Sequence, residues 1–284
     1  MAGTALKITA SPKQIYAGQS ITFTVTVTSL GGGVIPNGEQ VALSSQGSGN
    51  SSATLQNGVA TLTIPLHGAN AMTVVMSASY RGDQTFYPSY GAVQVKVIKY
   101  DTTTTLTSSP NPSVFGYPVT YTATTTVDGP VAPNGTTQLY LPGLPIRVGT
   151  TYTDNQLVGV GTSHAGAEYV GDDYTYYSLA FTQQTVVPAT TTTIILSSKN
   201  HPIAQGRPVT FRAIVKSPAP NVVVVDGSVT FTVGTTTLGT VQLKDSQGER
   251  TVSSLPVGQN TITATYNTDG NFTGSSGSLV QIVS

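Results

Sequence analysis

The chain has 284 residues, no cysteine, and twelve basic side chains against twelve acidic ones, and only 8% of its residues are charged. Without cysteine it has no disulfide framework, no thiolate metal site and no cysteine nucleophile. Zero net charge removes the electrostatic basis for binding nucleic acid or an anionic membrane, and no stretch approaches the ~20 apolar residues of a membrane helix. Because so few residues are charged, the polar surface must be built from hydroxyl and amide side chains.

One strand-like segment occurs three times and sets the organisation of the chain. The copies lie at residues 18–25, 116–123 and 206–213, and in each a glycine precedes an alternation of apolar and polar residues. A period of two places the apolar groups on one face of a strand, so each copy predicts half of a sheet that needs a partner sheet. The repetition predicts three similar all-β domains, each a β-sandwich of about 95 residues.

The first domain is predicted to span residues 1–99. Its expected strands lie around residues 6–8, 20–28, 41–43, 53–55, 59–64, 74–80 and 93–98. Asn57-Gly58 predicts a hairpin turn, because these residue types tolerate positive φ. The alternating residues of the 74–80 strand, among them Met76 and Tyr80, are expected to face the core.

The second domain is predicted at residues 100–188 and the third at residues 189–284. In the second, the strand pattern breaks down between residues 138 and 156. In the third, a strand near the end of the domain is expected to face the core with Ile262, Ala264 and Tyr266. The joints at residues 99–101 and 188–189 are too short for flexible linkers, so the sequence predicts a semi-rigid rod ~100–120 Å long.

A family resemblance becomes visible in the third domain. Its motifs are Gly206-x-Pro-Val-Thr-Phe, Leu238-Gly-Thr, Leu255-Pro-Val-Gly and Ile262-Thr-Ala-Thr-Tyr. They resemble the bacterial Ig-like domain, group 3 type, which occurs in tandem in large surface proteins. The resemblance implies three tandem immunoglobulin-like β-sandwich domains and a surface setting, and the family has no catalytic residues to carry over.

The other two domains resemble the family less closely. In the second domain, Val160 and Tyr169 repeat the nine-residue spacing of Val257 and Tyr266. The first domain matches more loosely, at residues 18–25 and 80–83. The resemblance thus covers most of the chain.

Several segments resemble recognition or calcium motifs, and a turn is the favoured interpretation of each. Arg81-Gly82-Asp83 is the integrin-binding tripeptide, but Val170-Gly171-Asp172 lies at the aligned position of the second domain. Asp172-Asp173 and residues 267–271 resemble short calcium loops that lack the full ligand series. We therefore expect no metal site and no cofactor.

Nothing in the sequence predicts an enzyme or a catalytic residue. His164 follows Ser163 within Gly161-Thr-Ser-His-Ala-Gly, whose spacing is not that of a nucleophile elbow. By the register of Tyr169, His164 is expected to face solvent. His67 and His201 are expected in turns.

Tyrosine is the strongest sequence signal for a partner. Within the second domain, residues 117–177 hold eight of the fourteen tyrosines, and the domain has a net charge of −5, between neighbours of +3 and +2. Its candidate partner-binding residues are Tyr152, Tyr174, Tyr176 and Tyr177. Exposed tyrosine suits a protein partner or a sugar ring, while packing at a domain joint is the alternative. Asn50, Asn134 and Asn271 are candidate glycosylation sites, one in each domain.

The sequence is typical of a non-enzymatic extracellular structural or adhesion protein: a stalk, an adhesin segment or a fibre subunit that self-assembles or binds a protein. One alternative is a phage virion protein that decorates the head or tail, which a Met1 start without a signal peptide favours. Another is a carbohydrate-binding module that uses the face of residues 174–177.

Overall fold

The computed structural model describes residues 1–45, 48–66, 72–155, 158–199 and 202–284, and every named element among them is a β-strand. The strands form six sheets that build three Ig-like β-sandwiches. Among the described residues, no helix has the length and hydrophobicity needed to cross a membrane. The residues pack as two compact units, Met1–Thr105 with Thr124–Gln138 and Glu168–Ala180, and Leu106–Ala123 with Leu139–Ala167 and Phe181–Ser284.

The first sandwich occupies the N-terminal third of the chain. Its strands are β1 (Thr4–Ser11), β2 (Gln14–Tyr16), β3 (Ser20–Ser29), β4 (Gln40–Ser45), β5 (Ser48–Thr54), β6 (Val59–Pro65), β7 (Met72–Tyr80) and β8 (Ser89–Ile98). One sheet has the order β1-β3-β6 and the other β2-β8-β7-β4-β5. Their inner faces enclose the predicted core, including Phe23, Met76 and Tyr80.

The turn at Asn57-Gly58 forms as predicted but does not make a hairpin. Asn57 and Gly58 have φ values of 52° and 77°, and Gln56 bridges Val59 across them. Beyond that bridge, β5 pairs with β4 and β6 pairs with β3. The turn therefore joins the two sheets, with Leu55 buried between them.

The middle sandwich contains the region where the sequence pattern breaks down. Its strands are β9 (Thr102–Ser109), β10 (Ser113–Val114), β11 (Val119–Val127), β12 (Thr137–Tyr140), β13 (Arg147–Val148), β14 (Thr151–Asp154), β15 (Gly161–Tyr169) and β16 (Ser178–Val187). The sheets have the orders β14-β11-β9 and β10-β16-β15-β12-β13. The three strands from β12 to β14 are short, which explains the weak alternation there. Tyr121, which belongs to the repeated segment, and Tyr169 are both buried.

The third sandwich completes the chain. Its strands are β17 (Thr192–Ser197), β18 (Val209–Lys216), β19 (Ser228–Val233), β20 (Thr236–Gln242), β21 (Gln247–Val252), β22 (Gly258–Asn267) and β23 (Ser276–Val283). The sheets have the orders β17-β18-β21 and β20-β19-β22-β23. The predicted inward residues Ile262, Ala264 and Tyr266 are buried, and so is Phe211 of the repeated segment. The domain boundaries and the rod arrangement stay predictions.

The three copies of the repeated segment have the same local structure. Gly18, Gly116 and Gly206 have φ values of 83°, 80° and 80°, a region that favours glycine. On the outer face, threonine hydroxyls of neighbouring strands pair at equivalent places. The pairs are Thr22 with Thr63 (2.9 Å), Thr120 with Thr153 (2.9 Å) and Thr210 with Thr251 (2.7 Å). Threonine thus provides both the strand propensity and the cross-strand contact of a nearly uncharged surface.

Candidate functional site

The first Gly-Asp turn is stabilised by its own aspartate. Asp83 Oδ1 accepts hydrogen bonds from the backbone N–H groups of Thr85 (2.6 Å) and Phe86 (2.7 Å). The bonds from Phe86 and Thr85 lower the pKa of the Asp83 carboxyl. Gly82 has φ 76°, and a Cβ atom there would lie 2.4 Å from the Phe86 carbonyl oxygen. This geometry supports the turn interpretation of Arg81-Gly82-Asp83.

Asp172 holds the equivalent turn of the middle sandwich with more hydrogen bonds. Its Oδ1 accepts from the backbone N–H groups of Tyr174 and Thr175, both at 2.8 Å, and from the Thr175 hydroxyl at 2.7 Å. Its Oδ2 accepts from the Asn134 N–H at 2.9 Å and the Tyr169 hydroxyl at 3.0 Å. Burial alone would raise the pKa of Asp172, but these hydrogen bonds outweigh it and lower the pKa to about 2.

The segments that resemble calcium loops use their carboxylates inside the turns. Besides Asp172, Asp269 Oδ1 accepts a hydrogen bond from the Asn271 N–H at 2.9 Å. Within the described ranges, no three His, Cys, Asp or Glu side chains are placed to hold a metal ion. We predict that the stability of the protein does not depend on a bound metal ion.

We expect EDTA to leave the thermal unfolding midpoint unchanged to within about 1 °C. A calcium ion at one hundred times its Kd would add about 2.7 kcal/mol of stability, and its removal would lower the midpoint by many degrees. The measurement is differential scanning calorimetry with and without EDTA. A drop that calcium reverses and magnesium does not would place a metal at the Gly-Asp turns.

The joint between the first and middle sandwiches is packed with aromatic rings. The rings of Tyr16 and Tyr100 stack with centroids 4.5 Å apart and planes inclined by 8°. Tyr100 is buried, and its N–H donates to the Tyr174 carbonyl at 2.8 Å. The Tyr174 ring lies against Gly18, where a Cβ atom would be 3.0 Å from Cε1. The joint is a hydrophobic contact instead of an open linker.

The joint between the middle and third sandwiches has a similar construction. The rings of Phe115 and Phe272 meet edge to face, with centroids 5.2 Å apart and planes at 87°. Both rings are buried and belong to the core cluster of the third sandwich. The Asn221 N–H donates to the Gly116 carbonyl at 3.0 Å, next to these rings.

The four tyrosines predicted to bind a partner have separate environments. Tyr174 packs against the core of the first sandwich. This is packing at a domain joint, the alternative to partner binding given by the sequence. Tyr152 is half-buried, and the Arg147 guanidinium carbon lies 4.9 Å from its ring centroid. Tyr176 is half-buried, whereas Tyr177 is 64% exposed. Tyr177 is the most accessible of the four, and partner binding by this set stays a prediction.

The three candidate glycosylation sites differ in accessibility. Asn50 and Asn134 are exposed. Asn271 is half-buried at the second joint, where its Oδ1 accepts a hydrogen bond from the Val160 N–H at 3.2 Å. A glycan would be attached to the Nδ2 atom of this half-buried side chain, so the exposed Asn50 and Asn134 are the more accessible acceptors. Glycosylation stays a prediction.

The adjacent residues Ser163 and His164 do not face each other in the structure. His164 is exposed, as predicted, and its Nε2 lies 3.2 Å from Gln183 Nε2. Adjacent residues of a strand face opposite sides of the sheet, so Ser163 and His164 point away from each other. His67 and His201 lie outside the described residues.

Two exposed aromatic residues that the sequence did not single out lie on the outer face of the middle sandwich. Phe181 on β16, Gly166 on β15 and Tyr140 on β12 are on three neighbouring strands. A Cβ atom at Gly166 would lie 3.3 Å from Phe181 Cε1 and 3.7 Å from Tyr140 Cβ. Since Ala180 is buried, alternation alone would have placed Phe181 outward.

Comparison with known protein families identifies the family of this chain. Residues 8–98 and 196–284 match the model of the bacterial Ig-like domain (group 3), which covers more than half of the chain. The chain belongs to this family. The matched ranges are the first and third Ig-like sandwiches, and residues 99–195 of the middle one lie outside the match. No curated protein matches the sequence.

Solved structures that match the chain include bacterial and phage proteins. The three N-terminal domains of the bacteriophage RB49 outer capsid protein Hoc share 12% identity, with 99% of this chain and 98% of that chain covered and a TM-score of 0.31. The Escherichia coli adhesin FdeC shares 14%, with 98% and 96% covered and a TM-score of 0.32. Fibronectin(III)-like modules of Clostridium thermocellum CbhA share 18%, with 63% and 93% covered and a TM-score of 0.29. The family assignment accordingly depends on the sequence match.

Proposed function

We propose that this Ig-like repeat chain is a non-enzymatic structural or adhesion segment of an extracellular protein, such as a stalk, adhesin segment or fibre subunit. The observation that carries the proposal is the packing of both joints. The linking residues Tyr100 and Ala189 are buried, whereas a flexible linker would be exposed. Such joints restrict the motion of successive domains, which is what a spacer requires.

Hydrogen bonds across the linking residues add to this restriction. The Tyr176 N–H donates to the Tyr100 carbonyl at 2.9 Å, and the Thr273 N–H donates to the Ala189 carbonyl at 2.8 Å. The Lys99 ammonium donates to the Asp172 carbonyl at 2.5 Å. Each linking residue is therefore hydrogen-bonded to the sandwich that follows it in the chain.

The surface chemistry supports an extracellular structural role. Charged residues are scarce, and paired threonine hydroxyls cover outer strands of all three sandwiches. The carboxylates of Asp83 and Asp172 accept hydrogen bonds from backbone N–H groups and stabilise turns. We therefore propose no catalytic activity for the chain.

Trypsin is expected to cleave the peptide bond after Lys99 slowly, because Lys99 and Tyr100 are held in the first joint. Replacing Tyr100 with Ala removes the stack on Tyr16, so cleavage there should become at least about tenfold faster. The measurement is the rate at which fragment 1–99 appears by mass spectrometry under native conditions.

The matched control is Tyr177→Ala, which removes an exposed tyrosine from the same sandwich and should leave the rate unchanged. Rapid cleavage after Lys99 in the wild type would show that the first joint opens freely and would contradict the spacer role. Protease treatment of intact cells that produce the protein tests the extracellular setting, since a surface protein is released or cut.

A further inference from the structure

We infer that the top of the first sandwich binds the lower end of the third sandwich of a second copy of the chain. The top of a sandwich is the end that its preceding linking segment enters, and the lower end is the opposite one. At the first joint the lower end of the first sandwich meets the top of the middle one, and at the second joint the lower end of the middle sandwich meets the top of the third. The chain thus forms the same kind of contact twice.

The top of the first sandwich has the backbone arrangement of the two tops that form joints. The linking residues Tyr100 and Ala189 each donate one backbone hydrogen bond to a turn of the following sandwich and accept one from it. Ala2 does the same in the first sandwich. Its N–H donates to the Thr85 carbonyl at 2.7 Å, and its carbonyl accepts from the Tyr87 N–H at 2.9 Å. Ala2 therefore occupies the place of a linking residue.

The lower end of the third sandwich likewise repeats the two lower ends that form joints. In each sandwich, the residue before the glycine of the repeated segment donates its N–H to a carbonyl at the end of the last strand or directly after it. The bond lengths are 2.8 Å for Ala17, 2.9 Å for Phe115 and 2.9 Å for Gln205. The loops of all three lower ends are therefore anchored to their sandwiches in the same way.

The glycine of the repeated segment contacts the following sandwich at both joints. The Tyr174 ring packs on Gly18, and the Asn221 N–H donates to the Gly116 carbonyl. At Gly206, a Cβ atom would have no heavy atom of the described residues within 4 Å, apart from its chain neighbours. The backbone surface that receives a neighbouring sandwich at the two joints is thus accessible at Gly206.

Exposed apolar side chains lie at the top of the first sandwich. Leu30 is 72% exposed and Val34 is 83% exposed. Their loop lies beside Ala2, because the Leu30 N–H donates to the Gly3 carbonyl at 2.8 Å and a Cβ atom at Gly31 would be 3.3 Å from Ala2 Cβ. In the third sandwich the equivalent loop, which follows β18, contacts the middle sandwich at the second joint. The loop of residues 30–34 is therefore placed to contact a sandwich end.

The lower end of the third sandwich presents an apolar residue as well. Val257 is 61% exposed and lies directly before β22, whose first residue pairs with Val283. Ile203 also bridges Val283, so Val257 and residues 203–206 are at the same end of the sandwich. At the second joint, the equivalent residue Val160 contacts the following sandwich, since its N–H donates to a side chain there at 3.2 Å.

The charged side chains in the loops of the two surfaces have complementary signs. At the top of the first sandwich, Asp83 and Glu39 outnumber Arg81. The loop at the lower end of the third sandwich carries Lys199 and Arg207, both exposed. Surfaces of opposite charge attract each other and disfavour contacts between like ends.

A second copy of the chain is the partner that supplies the missing half at each of these surfaces. Its third sandwich offers a lower end built like the two that cover the inner tops, and its first sandwich offers the matching top. Such a contact would remove Leu30, Val34 and Val257 from water, which favours association. A partner without the end of an Ig-like sandwich lacks the anchored glycine loop that both joints use. Since the two surfaces differ, the contact is heterologous, and each added copy presents a new surface for the next.

This inference rests on the structural role proposed above and names a partner for it. The two can be tested separately, because cleavage after Lys99 is measured on dilute chains and reports a joint inside one chain. Rapid cleavage would contradict the spacer role. Slow cleavage of a chain that never associates would leave the spacer role intact and overturn only the contact between copies.

The test is sedimentation velocity of the full chain, without added terminal residues, at concentrations up to about 1 mM. A contact the size of one domain joint is small, so we expect a Kd between about 10 µM and 1 mM and a mean mass that rises with concentration. Val34→Asp and Val257→Asp should each remain monomeric, because the contact would strip water from the introduced carboxylate. An equimolar mixture of these two variants should form dimers and nothing larger, since each variant keeps one intact surface.

Phe181→Asp is the matched control, because it places the same charge at a 75% exposed apolar residue of the middle sandwich. It should associate like the wild type, and all three variants should keep the wild-type melting temperature, because the replaced side chains are mostly exposed. A wild type that is monomeric at about 1 mM would overturn the inference, as would association that Val34→Asp or Val257→Asp leaves intact. A mixture of these two variants that stays monomeric would exclude a head-to-tail contact. Loss of association in Phe181→Asp would also overturn the inference and assign the contact to the outer face of the middle sandwich.

Discussion

Replacing Phe211 with Ala is expected to lower the free energy of unfolding of the third sandwich by about 3–5 kcal/mol. Phe211 lies on β18 and is fully buried, in one core cluster with Phe231 and Tyr266. Truncation removes the burial of an aromatic ring and leaves a cavity that the two sheets cannot close, because both are fixed by their backbone hydrogen bonds.

The measurement is urea denaturation followed by hydrogen exchange of peptides from the third sandwich, since a chain of three domains need not unfold in one step. The control is Arg212→Ala at the next residue, whose exposed side chain pairs with Glu249 at 2.5 Å. An exposed ion pair of this kind contributes about 0–1 kcal/mol. A loss below about 1 kcal/mol for Phe211→Ala would mean that the inward face of β18 has been assigned wrongly.

Replacing Asp172 with Ala is expected to cost the middle sandwich about 2–4 kcal/mol, because several donors lose their acceptor at once. The backbone N–H groups of Asn134, Tyr174 and Thr175 all donate to this carboxylate. Because the turn also lies beside the first joint, the variant should loosen the packing of Tyr174 as well. Asp173→Ala is the matched control, since Asp173 is the exposed neighbour in the same turn.

The stabilisation by Asp172 should depend on pH in a defined direction. Its folded pKa of about 2 is below its ordinary value of 3.8. A group with a lowered folded pKa contributes its full stability above the ordinary value and loses it as pH falls through the folded value. The stability difference between wild type and Asp172→Ala, measured by urea denaturation, should therefore be constant above about pH 5 and shrink toward pH 2. A difference that does not change over this range would contradict the role of the carboxylate charge.

Local sequence determined which residues form the core. Phe23, Tyr121 and Phe211 are buried where alternation places them, because successive side chains of a strand must face opposite sides of the sheet. The turn glycines are equally local, since positive φ is a property of one residue and its neighbours. The family followed from the same motifs, which the match over residues 8–98 and 196–284 confirms.

Only the tertiary structure decided what the exposed and half-exposed residues do. Tyr174 and Tyr177 share one short segment, yet Tyr174 packs against the first sandwich and Tyr177 stays exposed. That difference depends on which domain lies beside each ring, and local sequence does not contain it. Alternation also places Phe181 outward, but only the strand order β16-β15-β12 brings it next to Gly166 and Tyr140. Strand order is set by contacts between distant parts of the chain, so this contact could not be found from a single strand.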